Sequence, residues 1–305
     1  MFCSTIIPTI NRPSLSRAVT SVLEQRLEPE DFEVIVVNDS GRPLPEFEWM
    51  RSPKVKVLNT QRRERSVARN AGAATALGKY LHFLDDDDWM LPEAFEAFWE
   101  LSNLSQAEWL YGAFQLINGS GALIKNLVYE FRDNCFIQSV SSEWVPLQAS
   151  LIKTEAFFNV GGFAPLQSSY EDIDLTNKIT HRYPMSGTPK PVVCIQRGGA
   201  TSTTNQQNVF HQRWQTRENA LNLPGAFSRL HASANSSNPE AAYWNGRIAF
   251  YYLASILWNI RQKRCFTACS RALYSLMAIA LAGKNLLKAS FWRGATRGHA
   301  LLVNR

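Results

Sequence analysis

Residues 80–89 have the sequence YLHFLDDDDW, in which a short and largely apolar stretch, Tyr80 to Leu84, runs directly into four aspartates, Asp85 to Asp88. The apolar stretch has the length and composition of a buried β-strand. Four adjacent carboxylates repel one another unless a cation neutralises them, and hard divalent ions prefer carboxylate oxygens as ligands. The pattern therefore predicts a strand that ends in a Mg²⁺ or Mn²⁺ site. Taken alone, the acidic tetrad is equally compatible with a solvated loop.

The residues before this strand alternate between strand-like and helix-like patterns. Strands are predicted at Phe2 to Ile7, Glu33 to Val37 and Val55 to Leu58. Such alternation is typical of an α/β fold in which helices flank a mostly parallel central sheet. Because ligands of these sheets bind beyond the carboxyl ends of the strands, we expect Thr9, Asp39 and Asp85 to lie near one edge.

The charge of the chain is unevenly distributed. Of its 305 residues, 32 are basic and 26 acidic, which gives a net charge of +6. Ten of the basic residues and none of the acidic ones follow Glu240, so positions 1–240 have a charge of −4. This distribution argues against a surface built to bind nucleic acid and for a near-neutral body with a cationic C-terminal region.

The cysteine pattern and the N-terminus bear on the cellular compartment. The five cysteines are odd in number and form no CxxC pair, which indicates a reducing compartment without disulfides or a zinc site. No basic stretch precedes Pro8, so a secretory signal is not expected. The longest apolar runs are shorter than the roughly 20 residues that span a bilayer. We therefore expect no transmembrane helix and a cytoplasmic protein.

Further motifs accompany the aspartates along the chain. They are STIIPTINR at 4–12, SVLEQ at 21–25, VVNDS at 36–40, ARNAG at 68–72, GGF at 161–163 and YED at 170–172. In order and spacing these motifs resemble the family 2 glycosyltransferases of GT-A fold, over roughly residues 3 to 200. Two features depart from the family pattern. Asn38-Asp39-Ser40-Gly41 replaces the usual Asp-Asp-Gly-Ser, and no obvious histidine follows Glu171-Asp172 as a further metal ligand.

The resemblance implies an inverting, metal-dependent enzyme that uses a nucleotide-sugar, with a UDP-sugar as the expected donor. The residues it places around the nucleotide are Thr9, Asn11, Arg12, Asp39, Arg69, Asn70, Asp85 and Asp86. It implies that Asp87, with Asp85, binds Mg²⁺ or Mn²⁺ and that Asp172 is the catalytic base. Asp172 could instead complement the dipole of a helix, and Asp39 could be an ordinary turn residue.

The acceptor side is less closely defined by the residues. Trp89, Trp144 and Glu171 are candidates for contacting an acceptor, although both tryptophans are equally well explained as core residues. The resemblance implies a saccharide or lipid-linked acceptor in cell-surface polysaccharide biosynthesis, and no nucleic acid. A non-catalytic module that binds carbohydrate or nucleotide through the same fold is the alternative function.

The expected domain organisation follows from the resemblance and from shifts in composition. Residues 1–115 would form the nucleotide-sugar-binding half and 116–223 the acceptor-binding half of one domain. A stretch rich in Ser, Asn and Ala predicts a linker at 224–240, and 241–305 would be a basic helical region. This region either packs on the catalytic domain or makes a peripheral membrane contact at the cytoplasmic face through its helices.

Overall fold

The computed structural model describes residues 1–27, 31–61, 64–143, 145–165, 167, 169–197, 206–236 and 240–297. The chain forms two compact units. The first comprises Met1–Asp133 and Trp144–Thr216, and the second comprises Asn134–Glu143 and Arg217–Arg305.

One sheet organises the first unit. Its strands, among the described residues, are β1 (Cys3–Thr9), β2 (Phe32–Asn38), β3 (Val55–Asn59), β4 (Tyr80–Phe83), β5 (Trp89–Met90), β6 (Trp109–Ile117), β7 (Leu123–Leu127), β8 (Ser150–Lys153) and β9 (Met185–Gln196). The strand order is β3-β2-β1-β4-β8-β6-β9-β5, and β7 pairs with β6.

The first half of the sheet is parallel. Strand β1 pairs in parallel with β2 and β4, and β2 pairs in parallel with β3. Strand β8 is antiparallel to both β4 and β6, whereas β6 and β9 are parallel. The predicted α/β class with a central sheet is confirmed. The mostly parallel arrangement is limited to β3-β2-β1-β4, and the other half of the sheet is mixed.

The parallel strands bring the polar motifs to one edge. Every residue of β2 is buried, and β1 is buried at all but one position, as expected when both faces of a sheet are covered. Thr9 at the end of β1 pairs with Asn38 at the end of β2. The backbone N–H of Asp39 donates to the Thr9 carbonyl at 2.8 Å. The loops after β1 and β2 are thereby fixed next to each other.

Helices lie between the strands of the first unit, and other helices make up the second unit. In chain order they are α1 (Leu15–Leu23), α2 (Arg65–Ala74), α3 (Ala94–Leu104), α4 (Phe136–Val140), α5 (Thr154–Asn159), α6 (Glu171–Arg182), α7 (Gln206–Leu221), α8 (Ala226–Ser236), α9 (Ala241–Arg261), α10 (Cys265–Ala282) and α11 (Ala289–Arg297). Short 3₁₀ segments occupy Glu48–Arg51, Leu147–Ala149 and Gly283–Leu287.

The second unit is helical and includes the predicted linker. Helix α8 occupies most of 224–240, so the expectation of a linker there was wrong for 226–236. Ala226, Leu230 and Ala234 recur every four residues and are buried in the core of this unit. That spacing places them on one helical face, a signal that the high Ser and Asn content of the stretch obscured.

One described segment is long and apolar enough to cross a bilayer. It is Cys265–Leu287, with 23 residues and a mean hydropathy of 1.5, and it meets this criterion by length and composition alone. We did not predict this segment from uninterrupted apolar runs, because Arg271 interrupts the run of apolar residues. Only 28% of its most apolar window is buried.

Gly78 lies just before β4, the strand that leads into the aspartates, and its backbone packs closely against β1. A Cβ at this position would lie 2.4 Å from the backbone nitrogen of Ser4, which cannot move without disturbing β1. We expect Gly78→Ala to lower the free energy of unfolding by about 1–3 kcal/mol, measured by urea denaturation. Gly119→Ala is the matched control because no atom lies within 4 Å of its added Cβ. Equal stability of the two variants would contradict this account of the packing.

Candidate active site

The four aspartates follow β4 in a turn that separates them into two groups. The N–H of Asp88 donates to the carbonyl of Asp85 at 3.1 Å, which closes the turn. Carboxylate oxygens of Asp85, Asp87 and Asp88 all lie within 4.8 Å of one another. Asp86 is buried and makes other contacts: it accepts a hydrogen bond from Thr9 Oγ1 at 2.6 Å and pairs with Arg12. Three carboxylates thus converge while the fourth anchors the turn to β1.

The donor set of the three converging carboxylates fits a divalent cation. Burial, followed by the charge of Asp85, raises the pKa of Asp88 to about 8 and also raises that of Asp87. Mg²⁺ holds oxygen ligands at about 2.1 Å, so its ligands lie at most about 4.2 Å apart, and oxygens within 4.8 Å of one another could reach such an ion after a small adjustment. A cation between these oxygens would favour their ionised forms and so oppose both the burial and the repulsion that raise these pKa values.

Arg69 connects the aspartates to the other acidic motif. Its guanidinium is buried and contacts Asp85 Oδ1 at 2.7 Å and Glu171 Oε1 at 2.9 Å. Gln148 Nε2 donates to the second oxygen of Asp85 at 2.6 Å. Burial alone would raise the pKa of Asp85, but the positive charge of Arg69 outweighs it and holds this pKa below its ordinary value. Asp85 is therefore kept ionised and fixed from two sides.

Helix α2 positions Arg69, and its start is capped locally. The carboxylate of Glu64 accepts hydrogen bonds from the N–H groups of Ser66 and Val67 at 2.9 and 2.7 Å. These bonds satisfy two of the amides that have no partner within the helix. Arg69 follows this capped first turn and extends toward Asp85.

Asp172 lies at the N-terminus of α6, directly after Glu171. Its pKa is raised to about 6, first by burial and then by the neighbouring charge of Glu171. One of its oxygens accepts the N–H of Ile173 at 2.8 Å. The charges of Arg69 and Asp85 also act on its pKa, in opposite directions. A carboxyl with this pKa can exchange a proton near neutral pH.

The remaining predicted nucleotide residues occupy the loops at the same edge. Asn11 has a left-handed backbone with a φ of 67°, and its N–H donates to Thr9 Oγ1 at 2.9 Å. Asp39 is buried and accepts from Thr60 Oγ1 at 2.6 Å and from the Glu64 N–H at 2.5 Å. Asp39 thus joins the end of β2 to the loop before α2.

Asn70 and the predicted acceptor residues have contacts of a different kind. The amide of Asn70 holds the peptide of Phe163, donating to its carbonyl at 2.8 Å and accepting its N–H at 3.0 Å. Glu171 is buried against Arg69. One face of the Trp89 ring is covered by the guanidinium of Arg17 at 3.7 Å. Trp144 lies outside the described residues.

Three polar contacts were not anticipated from the sequence. Gln148 holds Asp85, the N–H of Gln196 donates to Asp88 Oδ1 at 2.8 Å, and Arg17 donates to the Asp87 carbonyl at 3.0 Å. Gln148 comes from the segment before β8, Gln196 from the end of β9 and Arg17 from α1. Their positions depend on pairings between distant parts of the chain, for which a single sequence contains no local signal.

A parallel half-sheet with an acidic cluster beyond its strand ends is the arrangement of an α/β domain of GT-A fold. The model of the family described as glycosyl transferase family 2 matches residues 4–173, more than half of the chain. The chain belongs to this family.

Relatives by sequence are moderately similar. An uncharacterized glycosyltransferase of Haemophilus influenzae is 27% identical over 187 residues, which cover 58% of this chain and 61% of the relative. The poly(ribitol-phosphate) β-N-acetylglucosaminyltransferase TarP of Staphylococcus aureus is 28% identical over 133 residues, which cover 42% and 40% of the two chains. The matches thus span less than two thirds of the length of these relatives.

Among solved structures, TarS 1–349 of S. aureus in complex with UDP-GlcNAc has a TM-score of 0.60 with this chain. The alignment covers 89% of this chain and 90% of that chain at 16% sequence identity. At this level of identity the likeness is one of fold, and it extends beyond the residues matched by the family model.

The buried position of Arg69 predicts a large effect on stability. Arg69→Met would leave the buried carboxylate of Glu171 without its nearest cation, and we expect a loss of about 3–5 kcal/mol in the free energy of unfolding. Arg65→Met is the matched control, because Arg65 contacts the same Glu171 oxygen at 3.4 Å but is largely exposed. We expect this control to lose less than about 1 kcal/mol. Chemical denaturation measures both, and similar losses would show that Arg69 does not compensate Glu171.

Proposed function

We propose that this protein is an inverting glycosyltransferase that transfers a sugar from a UDP-sugar to a saccharide or lipid-linked acceptor. The observation that supports this most directly is the pairing of two acidic sites through Arg69. One is the cluster of Asp85, Asp87 and Asp88, in which Asp85 pairs with Arg69. The other is Glu171-Asp172, in which Glu171 pairs with Arg69 and the pKa of Asp172 is raised to about 6. A transfer from a nucleotide diphosphate requires both a site for the leaving group and a base for the acceptor.

The donor is proposed to be a UDP-sugar held by the loops after β1, β2 and β4. Support comes from the shared fold of TarS 1–349, whose structure was solved with UDP-GlcNAc. In this chain Asp39 would accept a hydrogen bond from the base, and Thr9, Asn11 and Arg12 would line the same edge. Arg69, Asn70, Asp85 and Asp86 would shape the wall of the nucleotide site by holding the turn after β4 and the Phe163 peptide in place.

The proposed cation site consists of Asp85 and Asp87, with Asp88 as an additional oxygen donor. A bound Mg²⁺ or Mn²⁺ would stabilise the negative charge that develops on the departing diphosphate. The chain's own contribution is to fix the ligands: Arg69 and Gln148 hold Asp85, and the N–H of Gln196 holds Asp88.

Asp172 is proposed to remove the proton from the acceptor hydroxyl as that hydroxyl attacks the anomeric carbon of the donor. The proton passes to a carboxylate oxygen of Asp172, the new glycosidic bond forms, and the bond from sugar to diphosphate breaks. Attack from the face opposite the leaving group inverts the anomeric centre. Burial and Glu171 raise the pKa of Asp172 and so increase its basicity while leaving it ionised at neutral pH.

The acceptor is proposed from the relatives. TarP bears the name of a poly(ribitol-phosphate) β-N-acetylglucosaminyltransferase, and a relative from Bacillus spizizenii is named as a poly(ribitol-phosphate) β-glucosyltransferase. A role in building or decorating a cell-surface polymer is therefore the proposed context. Trp89 and Glu171 remain proposed acceptor-side residues.

The base assignment predicts a defined effect of Asp172→Asn. We expect the variant to bind UDP as the native chain does and to lose 10²–10⁴-fold in kcat, roughly the contribution of a positioned general base. In the native protein kcat/KM should fall tenfold for each pH unit well below about pH 6, because protonated Asp172 cannot accept the acceptor proton. Initial rates across pH 4.5 to 8 measure this dependence.

A control separates the base from a helix-dipole role for Asp172. Glu155→Gln removes an exposed acid from the first turn of α5, and it should leave kcat unchanged. If Asp172 only complements the dipole of α6, its replacement by Asn will change thermal stability slightly and leave turnover near normal. That result, with the acceptor present, would rule out the proposed base.

The metal assignment is tested by binding alone. We expect UDP-sugars with Mn²⁺ or Mg²⁺ to raise the thermal midpoint of the native chain, and Asp87→Ala to abolish the metal-dependent part of that shift. Glu46→Ala, an exposed acid in the loop after β2, is the control and should keep the shift. A metal-dependent shift that survives Asp87→Ala would contradict the assignment. No shift with any nucleotide-sugar would favour a non-catalytic module.

A further inference from the structure

Helix α10 has its polar and small residues inside and its large apolar residues outside. The buried side chains of α10 recur every three or four residues, so they lie on one side of the helix. They are Ala268, Arg271, Ser275, Ala278 and Ala282. On the opposite side, exposed apolar residues form what we name the α10 face: Phe266, Leu273, Leu276, Met277, Ile279 and Leu281. Phe266 is 90% exposed and Leu276 67%. This is the reverse of the pattern of a helix that packs its apolar stripe on a protein core.

The buried contacts of Arg271 prevent the helix from rotating. Its guanidinium donates to Ser255 Oγ at 3.1 Å and to Asn222 Oδ1 at 2.5 Å, and it pairs with Glu218 at 3.5 Å. Turning the α10 face inward would remove these partners from a charged group that is 4% exposed. Because an unpaired buried charge is strongly destabilising, the apolar side is fixed outward.

Neighbouring segments extend the apolar surface. Helix α9 exposes Leu253, Leu257 and Ile260 at a spacing of four and three residues, and only three residues connect its end to the start of α10. Leu287, just after α10, is 89% exposed, and Trp292 on α11 is 57% exposed. A surface of this composition is unfavourable in water and marks a contact with something apolar.

The charges around this surface favour one kind of partner. The exposed cations beside it are Arg261, Lys263, Arg264, Lys284, Lys288 and Arg293. No acidic residue follows Glu240, so nothing in α9, α10 or α11 offsets these charges. A second copy docked on the same face would set its cations against these cations, whereas an anionic lipid surface would attract them.

We propose that the α10 face and the adjoining end of α9 form a docking surface for an anionic membrane. The helices lie in the plane of the membrane, with the apolar side chains entering the region about 5–10 Å deep at the headgroup and acyl boundary. The lysines and arginines at both ends of α10 contact the lipid headgroups. A helix in this position keeps Arg271 paired with Glu218, which a bilayer-spanning Cys265–Leu287 segment would not. Membrane docking is independent of the proposed transfer reaction and can be measured without an assay of enzyme activity.

The chain contains its own attachment point for a reporter. Cys265 and Cys269 on α10 are exposed, whereas Cys3, Cys135 and Cys194 are buried. Cys269 precedes Leu273 by four residues and therefore lies on the α10 face. In a Cys265→Ser background, an environment-sensitive fluorophore on Cys269 should shift to the blue and brighten when vesicles of phosphatidylcholine with phosphatidylglycerol are added. The same fluorophore at Leu104→Cys, with Cys265 and Cys269 replaced by Ser, should not change.

Co-sedimentation with these vesicles measures affinity for the full chain and its variants. Each basic residue near anionic lipid contributes about 1 kcal/mol, or about fivefold in binding, so Lys284→Gln/Lys288→Gln should bind about 25-fold more weakly at low salt. Leu273→Ser/Leu276→Ser should lose at least about tenfold, because two inserted leucines are removed. The matched controls Lys125→Gln/Arg51→Gln and Leu77→Ser/Leu104→Ser change exposed residues of the first unit and should bind like the native chain. All substituted residues are exposed, and circular dichroism verifies folding.

Several results would overturn the proposal. Native chain that stays in the supernatant with anionic vesicles at low salt would remove it. Equal binding to pure phosphatidylcholine, unaffected by the lysine substitutions, would exclude an anionic partner. A dimer in light scattering that Leu273→Ser/Leu276→Ser dissociates, without vesicle binding, would show that a second copy covers the face. Binding that resists alkaline carbonate extraction would indicate a membrane span.

Discussion

The guanidinium of Arg69 lies between two carboxylates from distant parts of the chain, Asp85 after β4 and Glu171 at the start of α6. A buried carboxylate is expensive to ionise unless a cation is close, and Arg69 supplies that cation to both acids. The ion pairs connect α2, the turn after β4 and the start of α6. They determine which acids of the site are neutralised by protein and which are not. Arg12 pairs likewise with Asp86 and, at 3.7 Å, with Asp87, while burial and the charge of Asp85 raise the pKa values of Asp87 and Asp88.

The parallel half of the sheet could be predicted because its signals are local. Strands β1, β2 and β4 are short apolar runs followed by polar residues, and the helices between them force a parallel arrangement. The pairing of β9 could not be predicted in the same way. This strand contains Pro189 and Pro191, which lack the N–H that a ladder requires. The structure accommodates them where the register with β6 shifts, between Gly112 and Phe114. Such irregularities depend on the partner strand and leave no trace in the local sequence.

In the site, residue types were easier to predict than their roles. A run of four identical aspartates indicates an acidic cluster, but the side chains that converge are selected by the turn, in which the Asp88 N–H meets the Asp85 carbonyl. That turn brings Asp88 beside Asp85 and directs Asp86 to Thr9. Because the four residues are identical, the sequence does not show which of them take which role. The side-chain amide of Gln148 and the backbone N–H of Gln196 could not be predicted either, because each becomes a donor to a carboxylate only when folding brings the two together.

In the second unit, the sequence likewise did not predict which side of each helix is buried. From composition, α9 and α10 are apolar on all sides, so the sequence does not say which side of either helix faces inward. The structure fills the core with large side chains of α9, among them Tyr251 and Tyr252, and Phe227 and Tyr274 stack on each other beside them. Helix α10 meets this core through alanine, serine and the flat guanidinium of Arg271, which lies 5.7 Å from the centre of the Tyr252 ring. The small and polar side of α10 thus packs inward, and its large apolar side chains are left exposed.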